Sequence, residues 1–347
     1  MSANSRALRL RPSPANGSRP TYAFEKPVAD RRVNSLSAAV AKLAAVQKSA
    51  GSKGWLSSKL SPKSFQLLGV RIDNISMTAA IGCILDAAHG MSPSSFAFVN
   101  ADCLNIACGD PRYTNILADQ QAVFADGSGI ALASRLRGIT IRENVNGTDM
   151  FPLLCQAAAA SGLSIFLLGA EPGIAGRVAA NMSAEFQDLS IAGTHHGFFD
   201  NSEEDSVITM INQSGADILL VAMGAPRQEV WIAANRNRLA PKVAIGVGGL
   251  FDFFSGRVWR APVAMRRTGL EWVWRLGQEP GRLWRRYVLG NPLFLVRCIR
   301  EQVVESLSQL SDAPRAAAHE ALLLGRDKNG GIGPSAAGTG IVAGCRS

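Results

Sequence analysis

The stretch "ADILLVAMG" (216–224) decides the fold. Past Asp217 it is nearly continuous in apolar residues, as a strand buried on both faces must be. A helical pattern follows at 226–238. The same alternation recurs along the chain: "SFAFVN" (95–100), "AVFA" (122–125), "SIFLLG" (164–169) and "KVAIGVG" (242–248) read as strands, and helical patterns occupy 127–137 and 172–186. The expected class is α/β, an open and mostly parallel, Rossmann-like sheet with helices on both faces. Ligands of such folds bind beyond the carboxyl ends of the strands. The polar residues following each strand are then the informative ones: Asp126, Glu171, Arg227, Gln228, Glu229 and Asp252.

With 347 residues the chain is long enough to bury a sizeable core. Its 47% hydrophobic and 18% charged content suits a slightly apolar globular protein. The six cysteines are scattered without a Cys-x-x-Cys pair, which fits reduced thiols packed as small hydrophobes. His195 and His196 are adjacent, so one strand or helix cannot aim both at a single ion, and no metal is expected. The N-terminus has arginines but no apolar core of signal-peptide length, and no long apolar run follows. The expectation is a cytoplasmic protein. A net charge of +9 points to a polyanionic partner, either nucleic acid or a membrane surface.

Four segments are expected: a disordered or weakly structured tail over 1–64, with a short helix near 36–48; the α/β domain over 65–255; a helical, basic appendage over 256–311; and a flexible tail over 312–347. The appendage holds arginines at 257, 260, 266, 267, 275, 282, 285, 286, 297 and 300, and no lysine up to residue 300. Arginine without lysine favours bidentate recognition of phosphate. Interleaved Trp259, Trp272, Trp274, Trp284 and Tyr287 fit a membrane interface. A single-stranded nucleic-acid groove also combines these residue types, as does a core of tryptophans beneath a solvated basic face. "GQEPG" should break the first helix, and Asn291-Pro292 should open another. Val296, Ile299, Val303 and Leu307 then form a stripe, either a subunit contact in a homo-oligomer or the appendage's own core.

"GAEPGIAG" (169–176) and "GVGGLFDFFSG" (246–256) follow strands, where glycine lets backbone approach a phosphate. Neither is a clean Gly-x-Gly-x-x-Gly, so an NAD(P)-dependent oxidoreductase finds little support. No Walker A sequence, Gly-x-Ser-x-Gly elbow or Asp-x-Asp pair occurs. Were the ligand a nucleotide sugar, glycine-loop amides and arginines would have to neutralise its diphosphate. Asp126, in "FADGSGI" (124–130), remains open between a turn residue, a helix cap and a general base.

Eight ordered blocks resemble the WecG/TagA/CpsF glycosyltransferases, family 26 of the sequence-based classification. They are "GVRIDNIS" (69–76), "FVNADCL" (98–104), "FADGSGI" (124–130), "RENVNGTD" (142–149), "FLLGAEPG" (166–173), "GAPRQEVWI" (224–232), "GVGGLFDFFSG" (246–256) and "RRTGLEWVWRLGQEPGRLWRRY" (266–287). Together they span about two-thirds of the chain. The resemblance implies inverting, metal-independent and cofactor-free transfer from a UDP-sugar to a polyprenyl-diphosphate-linked saccharide. The setting would be the inner face of the cell membrane, for cell-surface polysaccharide synthesis. It makes a membrane surface the expected polyanion, not nucleic acid.

By the same resemblance Asp126 is the catalytic base. Asn100, Gly127, Gly169, Gln228, Glu229, Gly248, Gly249 and Asp252 would bind the donor, Asp252 facing the uridine. Asn146, Gly147 and Asp149 would shape the acceptor or sugar pocket, and Arg275, Arg282, Arg285 and Arg286 would meet the lipid diphosphate or anionic headgroups. One block departs from the family's Thr-x-Asn-x-Glu pattern. Phe98 replaces the threonine, so the donor need not carry N-acetylmannosamine.

Overall fold

The computed structural model describes residues 31–50 and 63–307. The expected tail at 312–347 lies outside these residues, as does most of the one at 1–64. Eight strands form one sheet: β1 (Lys63–Leu67), β2 (Val70–Asn74), β3 (Ser94–Val99), β4 (Ala122–Ala125), β5 (Ser164–Gly169), β6 (Ser190–His195), β7 (Ile218–Ala222) and β8 (Val243–Gly246). Their order is β1-β2-β4-β3-β8-β7-β5-β6. Only the β1–β2 hairpin at one edge is antiparallel.

Helix α1 (Arg31–Ala50) precedes the sheet, and α2 (Met77–Ala88), α3 (Ala101–Gly109) and α4 (Pro111–Ala118) connect its first strands. Between β4 and β5 lie α5 (Ser128–Leu136) and α6 (Gly147–Ser161). The crossovers from β5 to β8 use α7 (Ile174–Glu185), α8 (Glu204–Gln213) and α9 (Arg227–Asn235). After β8 come α10 (Leu250–Phe254), α11 (Val263–Arg267), α12 (Glu271–Gln278) and α13 (Pro280–Trp284).

The continuous apolar strands are two-faced in the manner expected. On β3, Phe96 and Phe98 join one core while Ala97 and Val99 join the other; Ile165 and Leu167 against Phe166 and Leu168 repeat this on β5. Residues from α1, α2, α6, α7 and α10 fill the first face. Those of α3, α4 and α5, with α8 and α9 further along, fill the second. The five strands read from sequence are β3, β4, β5, β7 and β8. The three not read are peripheral: the β1–β2 hairpin, and β6 at the far edge with most of its residues only half-buried.

Two expectations are corrected. The helix near 36–48 does not belong to a loose tail: Val40 and Ala44 are fully buried in the core, and Ser37 Oγ donates to Gln156 Oε1 at 2.6 Å. Nor does Asn291-Pro292 open a helix. Pro280 does so, following the break at Glu279 (ψ 57°), and helical backbone continues through 290–307. It passes through one π turn, Arg285–Leu289, where Gly290 N–H donates to Arg285 O. Pro292 lacks an N–H and its ring crowds the preceding turn, which the wider π turn accommodates. Phe294 and Cys298 dock this helix on the second core, and Arg137 pairs with Glu301 and Glu305.

Candidate active site

Strand order reverses between β3 and β8, because the chain runs outward from β3 to one side and fills the other side later. The crevice beyond the carboxyl ends of these strands is where such sheets hold ligands. Asn100 follows β3, Asp126 follows β4, Gly224 follows β7, and Gly248 and Gly249 follow β8.

Asp126 is neither a cap nor a plain turn residue. Gly127 occupies the N-cap position of α5, with φ +94° that disfavours any side chain there, and no side chain caps the helix. The backbone around Asp126 is tied from three directions. Asp126 N–H donates to Val99 O at 2.9 Å, Gly127 N–H donates to Asn144 Oδ1 at 2.9 Å, and Ser128 Oγ donates to Gly269 O at 3.0 Å. The last bond seats the α11–α12 turn directly on the Asp-Gly-Ser-Gly loop.

Burial pushes the Asp126 carboxyl up to about 7, with Glu271 and Asp149 adding to the rise and Arg286 and Arg275 opposing it. A carboxylate of that basicity matches proton abstraction near neutrality. Arg286 reaches Asp102 at 3.3 Å, and Arg275 lies over the Phe253 ring at 4.6 Å while pairing with Glu279. Arg282 bridges Glu279 (2.7 Å) and Asp252 (3.7 Å). Arg285 stands apart, exposed and laid over Trp284. The structure thus brings Arg275 and Arg286 into the field of Asp126, and Arg282 to Asp252.

Several residues read as ligand groups have other engagements. Asn100 caps α3, its Oδ1 accepting from Asp102 N (3.0 Å) and Cys103 N (3.2 Å), which leaves its amide nitrogen for the crevice. Asn146 caps α6 and donates to Asp149 at 2.7 Å; Asp149 in turn pairs with Arg260. Gly147 begins α6 beside the core, where a Cβ would make ordinary contact at 3.6 Å with both Phe98 and Leu250. Gly169 lets β5 pass β7: a Cβ would come within 2.5 Å of Ala222 O. Asp252 is buried and pairs with Arg257 and Arg282.

Gln228 and Glu229, expected at the donor site, lie in the interior at 3% and 1% exposure. Sequence reasoning also passed over Asn144, Arg260 and Glu271. Asn144 lies inside the "RENVNGTD" block and Arg260 and Glu271 inside the basic segment, so their places were in view; which of them turns toward Asp126 is decided by tertiary packing.

A carboxylate poised near neutrality at a strand end, roofed by arginines over a topological crevice, is the arrangement of a group-transfer enzyme acting on a phosphorylated substrate. Residues 65–307 match the profile of the Glycosyl transferase WecG/TagA/CpsF family, and the chain belongs to that family. It is similar to the N-acetylglucosaminyldiphosphoundecaprenol N-acetyl-β-D-mannosaminyltransferase of Bacillus subtilis (strain 168), 33% identical over 204 residues, covering 59% of this chain and 78% of the relative. The enzyme of the same name from Bacillus spizizenii is 33% identical over 196 residues, covering 56% and 75%.

Proposed function

We propose that this chain is an inverting, metal-independent glycosyltransferase that moves a sugar from a UDP-sugar to a saccharide carried on a polyprenyl diphosphate, in the synthesis of a cell-surface polysaccharide. The observation that carries the reading is Asp126, raised toward neutrality at the end of β4 and enclosed by the appendage. Its carboxylate takes the proton of the acceptor hydroxyl while that oxygen attacks the anomeric carbon from the face opposite the nucleotide. The bond from that carbon to the diphosphate breaks, and UDP leaves with the electron pair. Arg275 and Arg286, already in the field of Asp126, neutralise the growing negative charge. The acceptor class follows the relatives, whose names specify a diphosphoundecaprenol-linked sugar. The donor sugar is not carried over from them, because Phe98 packs on Phe124 where the resemblance calls for a hydroxyl.

The appendage would place this site against the inner leaflet. No helix among the described residues is long and apolar enough to cross a membrane. The helix through 290–307 nevertheless has a second apolar face: Leu289, Leu293, Val296, Val303 and Leu307 are 46–61% exposed, while Phe294 and Cys298 hold the opposite side in the core. The stripe is therefore not the appendage's own core. With Arg285, Arg300 and Trp284 beside it, the face suits an interfacial helix lying along anionic lipid.

The test is transfer from a panel of labelled UDP-sugars into lipid-extractable product, with bacterial membranes and EDTA present. One donor should label lipid, and Asp126→Asn should abolish that label while UDP affinity stays within a few-fold. Undiminished turnover in the variant would remove Asp126 as base.

A further inference from the structure

Beyond the last ladder bond between β7 and β8, Val247 N–H to Val221 O at 2.8 Å, the two strands separate into glycine-bearing loops. A side chain takes over there. Gln228 Oε1 accepts from Gly224 N–H (3.1 Å) on the β7 loop and from Gly248 N–H (2.9 Å) on the β8 loop. An amide can face either way, and the wrong way would present Nε2 to two N–H donors. Glu229 fixes the choice: its Oε1 accepts from Gln228 Nε2 at 2.6 Å. Both side chains lie on the backbone of β8, where a Cβ on Gly246 would come within 2.8 Å of each.

Glu229 is itself unusual. It is almost wholly buried, and its Oε2 meets the buried Tyr113 hydroxyl without a hydrogen bond of good geometry. Burial raises its pKa, against the lowering effect of Gln228, its own backbone and Tyr113. A buried acid that is imperfectly satisfied costs stability and is retained only where surrounding structure holds it.

We propose that Glu229 and Gln228 form a positioning pair, in which Glu229 orients the Gln228 amide so that its oxygen holds the Gly224 and Gly248 loops together as one wall of the donor crevice. Neither side chain touches the donor. The donor part of this inference rests on the reading above; the tie between the loops does not. A buried N–H that loses its acceptor has no water to replace it, so loss of the amide's orientation opens the wall.

Two measurements on the full-length protein separate these parts: amide hydrogen exchange at peptides containing Gly224 and Gly248, and UDP affinity by calorimetry. Glu229→Leu should speed exchange at both glycines at least tenfold, leave β3–β5 at wild-type rates, and weaken UDP at least tenfold. Glu229→Gln still offers an acceptor to Gln228 and should remain within threefold of wild type in both. Unchanged exchange in Glu229→Leu, or equal acceleration across the whole sheet, overturns the proposal. So does faster exchange with unaltered UDP affinity. Should Glu229→Leu fail to fold, Gln228→Met removes the same amide and takes the same readouts. A wild-type protein that binds no UDP overturns the donor reading, and exchange alone then decides the tie.

Discussion

Asp149, Asp252 and Asp126 are all carboxylates among arginines at one end of the sheet, yet their surroundings give them different chemistry. Burial works against ionised Asp149, but Arg260, the Asn146 hydrogen bond and Arg266 prevail and hold it below the usual carboxylate range. At Asp252 burial outweighs Arg257 and Arg282 and raises the carboxyl, although both guanidinia occupy its oxygens. Asp126, at about 7, is the one raised and still reachable. The base role proposed for it requires the ionised form, so turnover should rise with pH through neutrality and fall away below it. Glu271→Gln removes a negative neighbour and should move that limb to lower pH in a kcat–pH profile. A limb that does not move belongs to another group. The place of Asp126 after a buried strand makes it a candidate, but its reading as a base comes from the resemblance of its block, since Asp before Gly serves equally in a turn or a cap. Gln228 and Glu229 open the helix after β7 and fold back onto β8, a direction set by tertiary packing that no local pattern encodes.

At the level of elements, legibility follows burial. Strands packed on both faces are continuous in apolar residues and stand out; β6 and the β1–β2 hairpin mix exposed with buried positions and do not. The apolar stripe of the helix through 290–307 is visible in the sequence, but periodicity cannot say which of two apolar faces meets the core. The outward face leads to a direct test. Replacing Val296, Val303 and Leu307 together by Ser removes apolar groups that would insert in lipid, each worth roughly 1.5–3 kcal/mol if fully buried. Cosedimentation with vesicles of phosphatidylglycerol should weaken at least tenfold, with the melting temperature nearly unchanged. Undisturbed binding to vesicles, with a shift to smaller particles in solution, would make this face a contact between copies.

The described molecule is a sheet closed on one face with the help of a helix that precedes it, separated from β1 by the twelve residues 51–62. Val40 and Ala44 of α1 complete the core formed by α2 and α6, so that helix belongs to the cooperative unit. Val40→Asp would bury a charge without a partner, at a cost of about 2 kcal/mol or more. Thermal unfolding should then shift down by several degrees; an unmoved midpoint would mean that α1 separates readily from the sheet. The boundary expected near residue 256 is also crossed by packing, with Val258, Ala261 and Leu283 buried.

The π turn at Arg285–Leu289 has a consequence for what each side of the molecule sees. One residue more than an α-helical turn holds advances the phase of everything after it by about 100°. The roof arginine Arg286 and the outward apolar face therefore occupy one continuous rod but keep independent bearings, one toward the crevice and the other away from the core. Converting this turn to an α turn with every residue kept would rotate the distal rod by about a quarter turn, whereas deleting one residue along with it would leave the rod near its present bearing. In the first case the outward apolar face would swing off its bearing while the roof stayed in place, so the directions of the two are set apart by a single inserted residue.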